Sequence, residues 1–165
     1  MKKEIEIRRI NSDEGNLLRK VRLAALENAP YAFGAKLSDE LNKPLSSFNE
    51  AAQRNSTSEL SATFLALHCN EPIGQIGAFV TGGKAFICAM WVASDYRRQK
   101  VGKNLFIIAS GWLHDINENM IFAWVADTNE AAKMFYRELG FEPTEVKQSL
   151  PSNPTESETL YAYNR

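Results

Sequence analysis

Apolar and polar residues change rhythm several times along the chain, and each rhythm predicts an element. Glu4 to Ile10 alternates, with Ile5 and Ile7 set between charged neighbours, which predicts a half-buried strand. Leu17, Leu18, Val21, Ala24 and Ala25 then recur at helical spacing behind N-cap candidates at Asn11, Ser12 and Asp13, and Ala29-Pro30 stops the run. "YAFGAKLSDE" is read as irregular, with Gly34 as a breaker. Ser47 and Glu50 are spaced as a capping box, predicting a second helix to about Arg54.

From Ser61 the texture becomes strand-like. "SATFLALHC", "PIGQIGAFVT" and "AFICAMWVA" are short apolar or alternating runs separated by "NEP" and "GGK", as expected of three antiparallel strands joined by tight turns. Leu105, Ile108, Ala109, Trp112 and Ile116 trace one face of a helix. "MIFAWVA" is apolar on both alternating sets and reads as a strand buried on both faces. A helix from Asn129 to Leu139 turns Ala132, Phe135 and Leu139 inward and stops at Gly140. "FEPTEVKQ" and "ETLYAYNR" read as two last strands, with the proline-bearing "SLPSNPTES" as a mobile loop between them. The predicted architecture is a single α+β domain over residues 1–165, with seven strands and about four helices.

At 165 residues, 44% hydrophobic and 24% charged, with a formal net charge of -1, the chain has the make-up of an ordinary soluble domain. No global charge argues for nucleic acid. The N-terminus lacks the apolar core of a signal peptide and no run approaches the ~18 apolar residues of a membrane span, so a cytoplasmic protein without membrane contact is expected. Cys69 and Cys88 form no Cys-x-x-Cys pair and are read as plain buried thiols. His68 and His114 have no partner at metal-ligand spacing, so no metal is expected. Gly-x-Ser-x-Gly is absent, which removes a serine hydrolase.

Chemistry concentrates in "MWVASDYRRQKVGKNLF", Met90 to Phe106, where a strand hands over to a helix through Arg97, Arg98, Lys100 and Lys103. Such a run is ordinarily a solvated surface. Here it enters a helix N-terminus, whose unpaired N–H groups and partial positive charge make an anion site. Gly102 allows close backbone approach, and Arg97 can offer a two-pronged fork to phosphate oxygens. A P-loop does not match, because Arg97 stands where its first glycine belongs and Asn104 where its Ser or Thr belongs; no G-x-G-x-x-G follows a strand either.

Val92, Arg97, Gly102 and Leu105, behind Met90-Trp91, resemble the acetyl-CoA signature of the GNAT N-acetyltransferase superfamily: Arg or Gln, two residues, Gly, one residue, Gly or Ala. "NEAAKMFYRELGF", Asn129 to Phe141, is similar to the family's later helix, and the order of elements is similar over essentially the whole chain. "RLAALENAPYAFG", Arg22 to Gly34, resembles a bacterial branch. One position departs: Lys100 stands where the signature has its first glycine. If that backbone needs positive φ, lysine costs about 1 kcal/mol there.

The resemblance implies a mostly antiparallel seven-stranded mixed sheet with splayed fourth and fifth strands, and acetyl-CoA as cosubstrate. Its pantetheine arm would lie along Met90, Trp91 and Val92. Its pyrophosphate would lie at Arg97, Arg98, Gln99, Lys100, Val101, Gly102 and Lys103, with Asn129 and Tyr136 contacting it from the later helix. Tyr136 would protonate the leaving thiolate, since a phenol of pKa about 10 can donate to it. The acceptor would be a primary amine of a small molecule or peptide attacking directly, with Tyr31 and Phe33 among the wall residues, between the first two helices and the loop Ser149 to Ser157. The fourth strand has no carboxylate to serve as base; Glu40, Glu59, Asp127 or a water relay remain open. Dimerisation through the late strands is common in the family. The rival expectation is a non-catalytic acyl-CoA-binding or regulatory module that kept the fold.

Overall fold

A computed structural model of the chain describes residues 4–30 and 35–165. Tyr31, Phe33 and the breaker Gly34 lie outside the described residues. The elements follow in the order β1 (Glu6–Arg9), α1 (Gly15–Asn28), α2 (Leu37–Asn42), α3 (Leu45–Thr57), β2 (Ser61–His68), β3 (Glu71–Thr81), β4 (Lys84–Val92), α4 (Val101–Asp115), β5 (Met120–Ala126), α5 (Glu130–Leu139), β6 (Glu142–Leu150) and β7 (Asn153–Asn164). The seven strands form one sheet in the order β1-β2-β3-β4-β5-β7-β6. All neighbours are antiparallel except β4 and β5, which run parallel.

The two faces of the sheet are covered differently. On one, Leu105, Phe106, Ala109 and Leu113 of α4 and Tyr136 of α5 pack on Phe64, Ile76, Ile87, Ile121, Val125 and Phe141. Phe106, Phe141, Tyr136 and Tyr163 meet ring to ring there at 5.2–5.6 Å. On the other, Leu18, Val21 and Leu26 of α1 and Phe48 and Ala52 of α3 pack on Leu65, Leu67 and Trp91. Arg9 ties α3 to the sheet: its guanidinium donates to the carbonyls of Asn55 (2.8 Å) and Ser58 (2.6 Å) at the end of that helix, where a cation is favoured.

Several local expectations are corrected. The chain between α1 and α3 contains a further helix, α2, whose short span lacks a readable period. Helix α1 starts after Glu14 with no side-chain cap; Asn11, Ser12 and Asp13 form a turn instead, closed by the Glu14 carboxylate on Asn11 N–H at 2.8 Å. Pro44 precedes α3, so Ser47 lies inside the helix and the capping box does not form. "MIFAWVA" buries Ile121, Ala123, Val125 and Ala126, but leaves Phe122 and Trp124 half-buried. "SLPSNPTES" is hairpin: β6 and β7 run through it and leave only Pro151-Ser152 between them. Edge strand β6 tolerates Pro143, because an edge residue can lose its N–H without breaking a ladder.

Candidate functional site

The site grows from a break in the sheet. β4 and β5 pair only through Ala85↔Ile121 and Phe86↔Phe122 and then part. Beyond that point the β5-facing edge of β4 is unpaired with β5, while its other edge stays bonded to β3 through Gly74↔Val92 and Gln75↔Trp91. Ala89, at φ 52, forms a bulge between the Gly77↔Cys88 and Gln75↔Trp91 pairs. The extra residue shifts the alternation: Met90 and Val92 join Ile87 on the α4 face, while Trp91 follows Cys88 to the α1–α3 face.

The open edge leads into the basic turn. Arg98 and Lys100 both adopt left-handed backbone, at φ 61 and 63. Lys100, where the signature has glycine, therefore does occupy a glycine conformation, at about 1 kcal/mol. It is the N-cap of α4 without a side-chain cap bond. The first helical bond of α4 runs from Asn104 N–H to the Lys100 carbonyl at 2.9 Å, so the amides of Val101, Gly102 and Lys103 precede it. Left-handed residues at Arg98 and Lys100 ahead of free helical amides form a concavity that can hold an anion.

Two side chains act differently from the expectation. The Arg97 fork is turned back on the protein: Nε donates to the Val92 carbonyl at 2.9 Å and Nη2 to Asn28 Oδ1 at 2.8 Å. Arg97 thus fastens the turn to β4 and α1. Gly102 faces inward, where an added Cβ would meet Met90 Cε at 3.0 Å and Phe135 Cε2 at 3.1 Å. Val101 is buried; Arg98, Gln99, Lys100 and Lys103 are exposed around the turn.

From across the break, α5 presents Tyr136. Asn129 caps this helix by accepting from Ala132 N–H at 3.1 Å, and Gly140 closes it at φ 105. Tyr136 is 7% exposed, the one buried residue of α5. Burial pushes its phenol well above the ordinary tyrosine value, and negative charge at Cys88 pushes the same way. The phenol therefore stays protonated at neutral pH, and the same shift makes it a weaker acid than the free phenol of pKa about 10 on which the expected donor role rests.

Cys88 and Cys69 are both exposed, against the expectation of buried thiols. Cys69 sits in the β2–β3 turn at φ 54. Cys88 opens into a cavity of about 380 Å³ between α1, α2, α3 and the sheet. Although the residue is exposed as a whole, its thiol is surrounded by protein, and this burial pushes it up to about 11 against a smaller opposite pull from Arg22. The cavity exists partly because Gly77 has no side chain; a Cβ there would lie 2.7 Å from Cys88 Sγ. Gln75 also lines it. Gln75 Nε2 and Trp91 Nε1 are buried donors with no hydrogen-bond partner among the described residues, and such a group left unpaired costs about 1–3 kcal/mol. Sequence reading passes over Gln75 and takes Cys88 for a plain buried thiol, because neither belongs to a motif and the cavity they share is assembled from distant elements.

The three base candidates lie apart. Glu40, 3% exposed, lines the cavity. Burial opposes its charge, but Lys43 Nζ at 2.7 Å and Arg22 Nε at 3.3 Å hold its carboxyl below the ordinary value. Asp127 likewise resists burial through donation from Ser157, Thr159 (2.5 Å) and Lys147 (3.0 Å), which bring it to about 2. A carboxylate so held is a poor base. Glu59 is exposed ahead of β2. Among the described residues no group of three or more His, Cys, Asp or Glu could hold a metal ion, and no helix is long and apolar enough to cross a membrane. His68 and His114 bond Tyr96 and Asn119, each at 2.8 Å.

The sequence model of the acetyltransferase (GNAT) family matches residues 23–141. The chain belongs to this family. Its membership makes it an acetyl-CoA-dependent acetyltransferase, and the splayed strands and free helix amides fit that cosubstrate. Among solved structures, the GNAT acetyltransferase of Streptococcus pneumoniae shares the fold at a TM-score of 0.80 and 17% identity, over 98% of this chain and 99% of that one. The PaiA N-acetyltransferase of Thermoplasma acidophilum, solved with coenzyme A, gives 0.78 and 16% over 98% and 99%. A Bacillus anthracis protein described as a streptothricin acetyltransferase, solved with acetyl coenzyme A, gives 0.61 and 24% over 68% and 67%. Among curated proteins none matches the chain in sequence.

Proposed function

We propose that this acetyltransferase moves an acetyl group from acetyl-CoA to a primary amine of a small molecule or peptide, by direct attack within a ternary complex. The observation that carries the reading is the continuity of three features: an open β4 edge, the left-handed turn at Arg98 to Lys100, and the buried phenol of Tyr136 across the break. Bound acetyl-CoA supplies an acyl group activated as a thioester. The edge Met90 to Val92 pairs with the amides of the pantetheine arm, as an added strand would. The amides of Val101, Gly102 and Lys103 hold the pyrophosphate, with the charges of Arg98, Lys100 and Lys103 around it and Gln99 beside them. Arg97 keeps this turn in place, and Asn129 fixes the start of α5 so that Tyr136 keeps its position.

The acceptor nitrogen forms its bond to the acyl carbon, the carbon–sulfur bond breaks, and the Tyr136 Oη proton goes to the departing sulfur. The proton leaving nitrogen passes to water in the cavity, since Glu40 and Asp127 are already engaged. An α-amine of pKa near 8 is roughly a tenth neutral at pH 7, whereas a lysine amine is less than a thousandth neutral, so a weak base suffices for the former. The reading extends to a single cytoplasmic domain of bacterial type over residues 1–165, with Tyr31 and Phe33 on the acceptor side and β6–β7 as the face for a homodimer. No nucleic-acid or membrane partner is proposed.

The test is a calorimetric titration of the natural protein and Lys100→Gly with acetyl-CoA. Micromolar binding by the natural protein is expected. Binding by the variant alone would mean that Lys100 obstructs the site and would favour the non-catalytic module.

A further inference from the structure

We propose that the acceptor is a small amine that also carries a carboxylate, an amino acid or a short peptide with a free C-terminus, and that Gln75 and Arg22 receive that carboxylate in the cavity beside Cys88. This rests on the transferase reading above. Three observations converge on it. The first is the pair of unsatisfied donors. Gln75 is 2% exposed, lines the cavity and has no partner for Nε2. Trp91, opposite it in the β3–β4 register and turned to the same face, carries a buried Nε1 that is also unpaired and can only donate. Of the two, Gln75 lines the cavity, and its unpaired donor calls for a ligand oxygen there.

The second is charge. Three cationic side chains line the cavity, Arg22, Lys43 and Arg54, against Glu40 alone, although the chain as a whole has a formal charge of -1. Glu40 is already paired with two of the cations. The surplus is positive, which repels a polyamine and attracts an acid. The third is size and placement. About 380 Å³ lies toward the small end of ligand pockets. One wall is Cys88 and Ala89 of β4, just past the point where β4 has parted from β5. An acceptor anchored by its carboxylate at Gln75 and Arg22 therefore directs its amine toward the break between β4 and β5.

The test is acetyl transfer, followed by thiol release, to the proteinogenic L-amino acids and to glycylglycine, each beside its C-terminal amide, with spermidine as a cationic comparison. Acids should exceed their amides in kcat/KM by about tenfold or more, the usual worth of hydrogen bonds to a charged group. The preference should reside mainly in KM. Arg22→Gln and the volume-conserving Gln75→Met should bring the acid-to-amide ratio toward one, and Arg22→Lys should restore part of it. Thermal melts of each variant separate loss of preference from loss of fold. The inference is overturned if amides or spermidine are the better acceptors, if a folded Gln75→Met or Arg22→Gln keeps the full preference, or if a sample that binds acetyl-CoA acetylates no acid. A folded sample that fails to bind acetyl-CoA overturns the transferase reading first, and this one with it.

Discussion

The α4–α5 face of the sheet is filled, whereas the α1–α3 face keeps a cavity and two donors without partners. On the filled face, aromatic rings and aliphatic side chains leave Tyr136 enclosed and its proton retained. On the other, Gly77, Cys88 and Gln75 surround space that nothing in the described chain occupies. The contrast matches the division of labour in the proposed two-substrate reaction. Rigid packing holds the turn, the open β4 edge and the phenol of Tyr136, while the unsatisfied polarity lies on the side where we propose that the acceptor binds.

The largest break should come from emptying the filled face. Phe141→Ala, at a site with no exposure, should cost about 3–5 kcal/mol in urea unfolding. Phe48→Ala, already beside the cavity, should cost less than that, and equal losses would mean that the faces do not differ in packing. Next comes chemistry: Tyr136→Phe should lower kcat by about 100-fold or more with little change in acetyl-CoA affinity. A parallel loss of affinity would assign Tyr136 to binding.

On the open side, Gly77→Ala drives a methyl toward Cys88 Sγ and should raise the acceptor KM several-fold, about 1 kcal/mol. Adding Cys88→Ala should relieve it. At the turn, Lys100→Gly removes a left-handed lysine and should add up to about 1 kcal/mol of stability, while weakening acetyl-CoA by a few-fold through the lost charge. Titration with coenzyme A at two salt concentrations separates these effects.

The smallest contrast is in pH. Thr159, bonded to Asp127, pairs with Val125 on the filled face, while its neighbour Glu158 alternates to the opposite one. Asp127 is lowered to about 2; Glu158 is raised by burial and by Asp127, against donation from Gln148. The signs are opposite. Stability from Asp127 is fully present above the ordinary aspartate range and lost as pH falls toward 2, so Asp127→Asn should lower the melting temperature at pH 7 and matter less in acid. Glu158 is favoured when protonated, so its contribution is lost as pH rises past the ordinary glutamate range. Glu158→Gln should leave the melting temperature at pH 7 unchanged or higher, with that advantage fading in acid.

Much of this molecule is decided by residues close in sequence. The strand-like runs of β1 to β4, the Asn129 cap, the Gly140 stop and the signature from Val92 to Leu105 are local, because caps, turns and periodicity depend on a few successive residues. The strand-to-helix turn ahead of α4 is local too, whereas the left-handed backbone that Lys100 takes where the signature has glycine stands only as a condition until the structure gives its φ of 63. Tertiary structure alone decided what lies across the break. The bulge at Ala89 moves Trp91 to the other face, Arg97 turns away from the anion site to reach Val92 and Asn28, and Cys88, Gln75 and Arg22 come together from β4, β3 and α1. No local pattern carries these placements. A one-residue shift in a strand reverses every later side chain, and a cavity is bounded by residues whose only common property is that the fold leaves room between them.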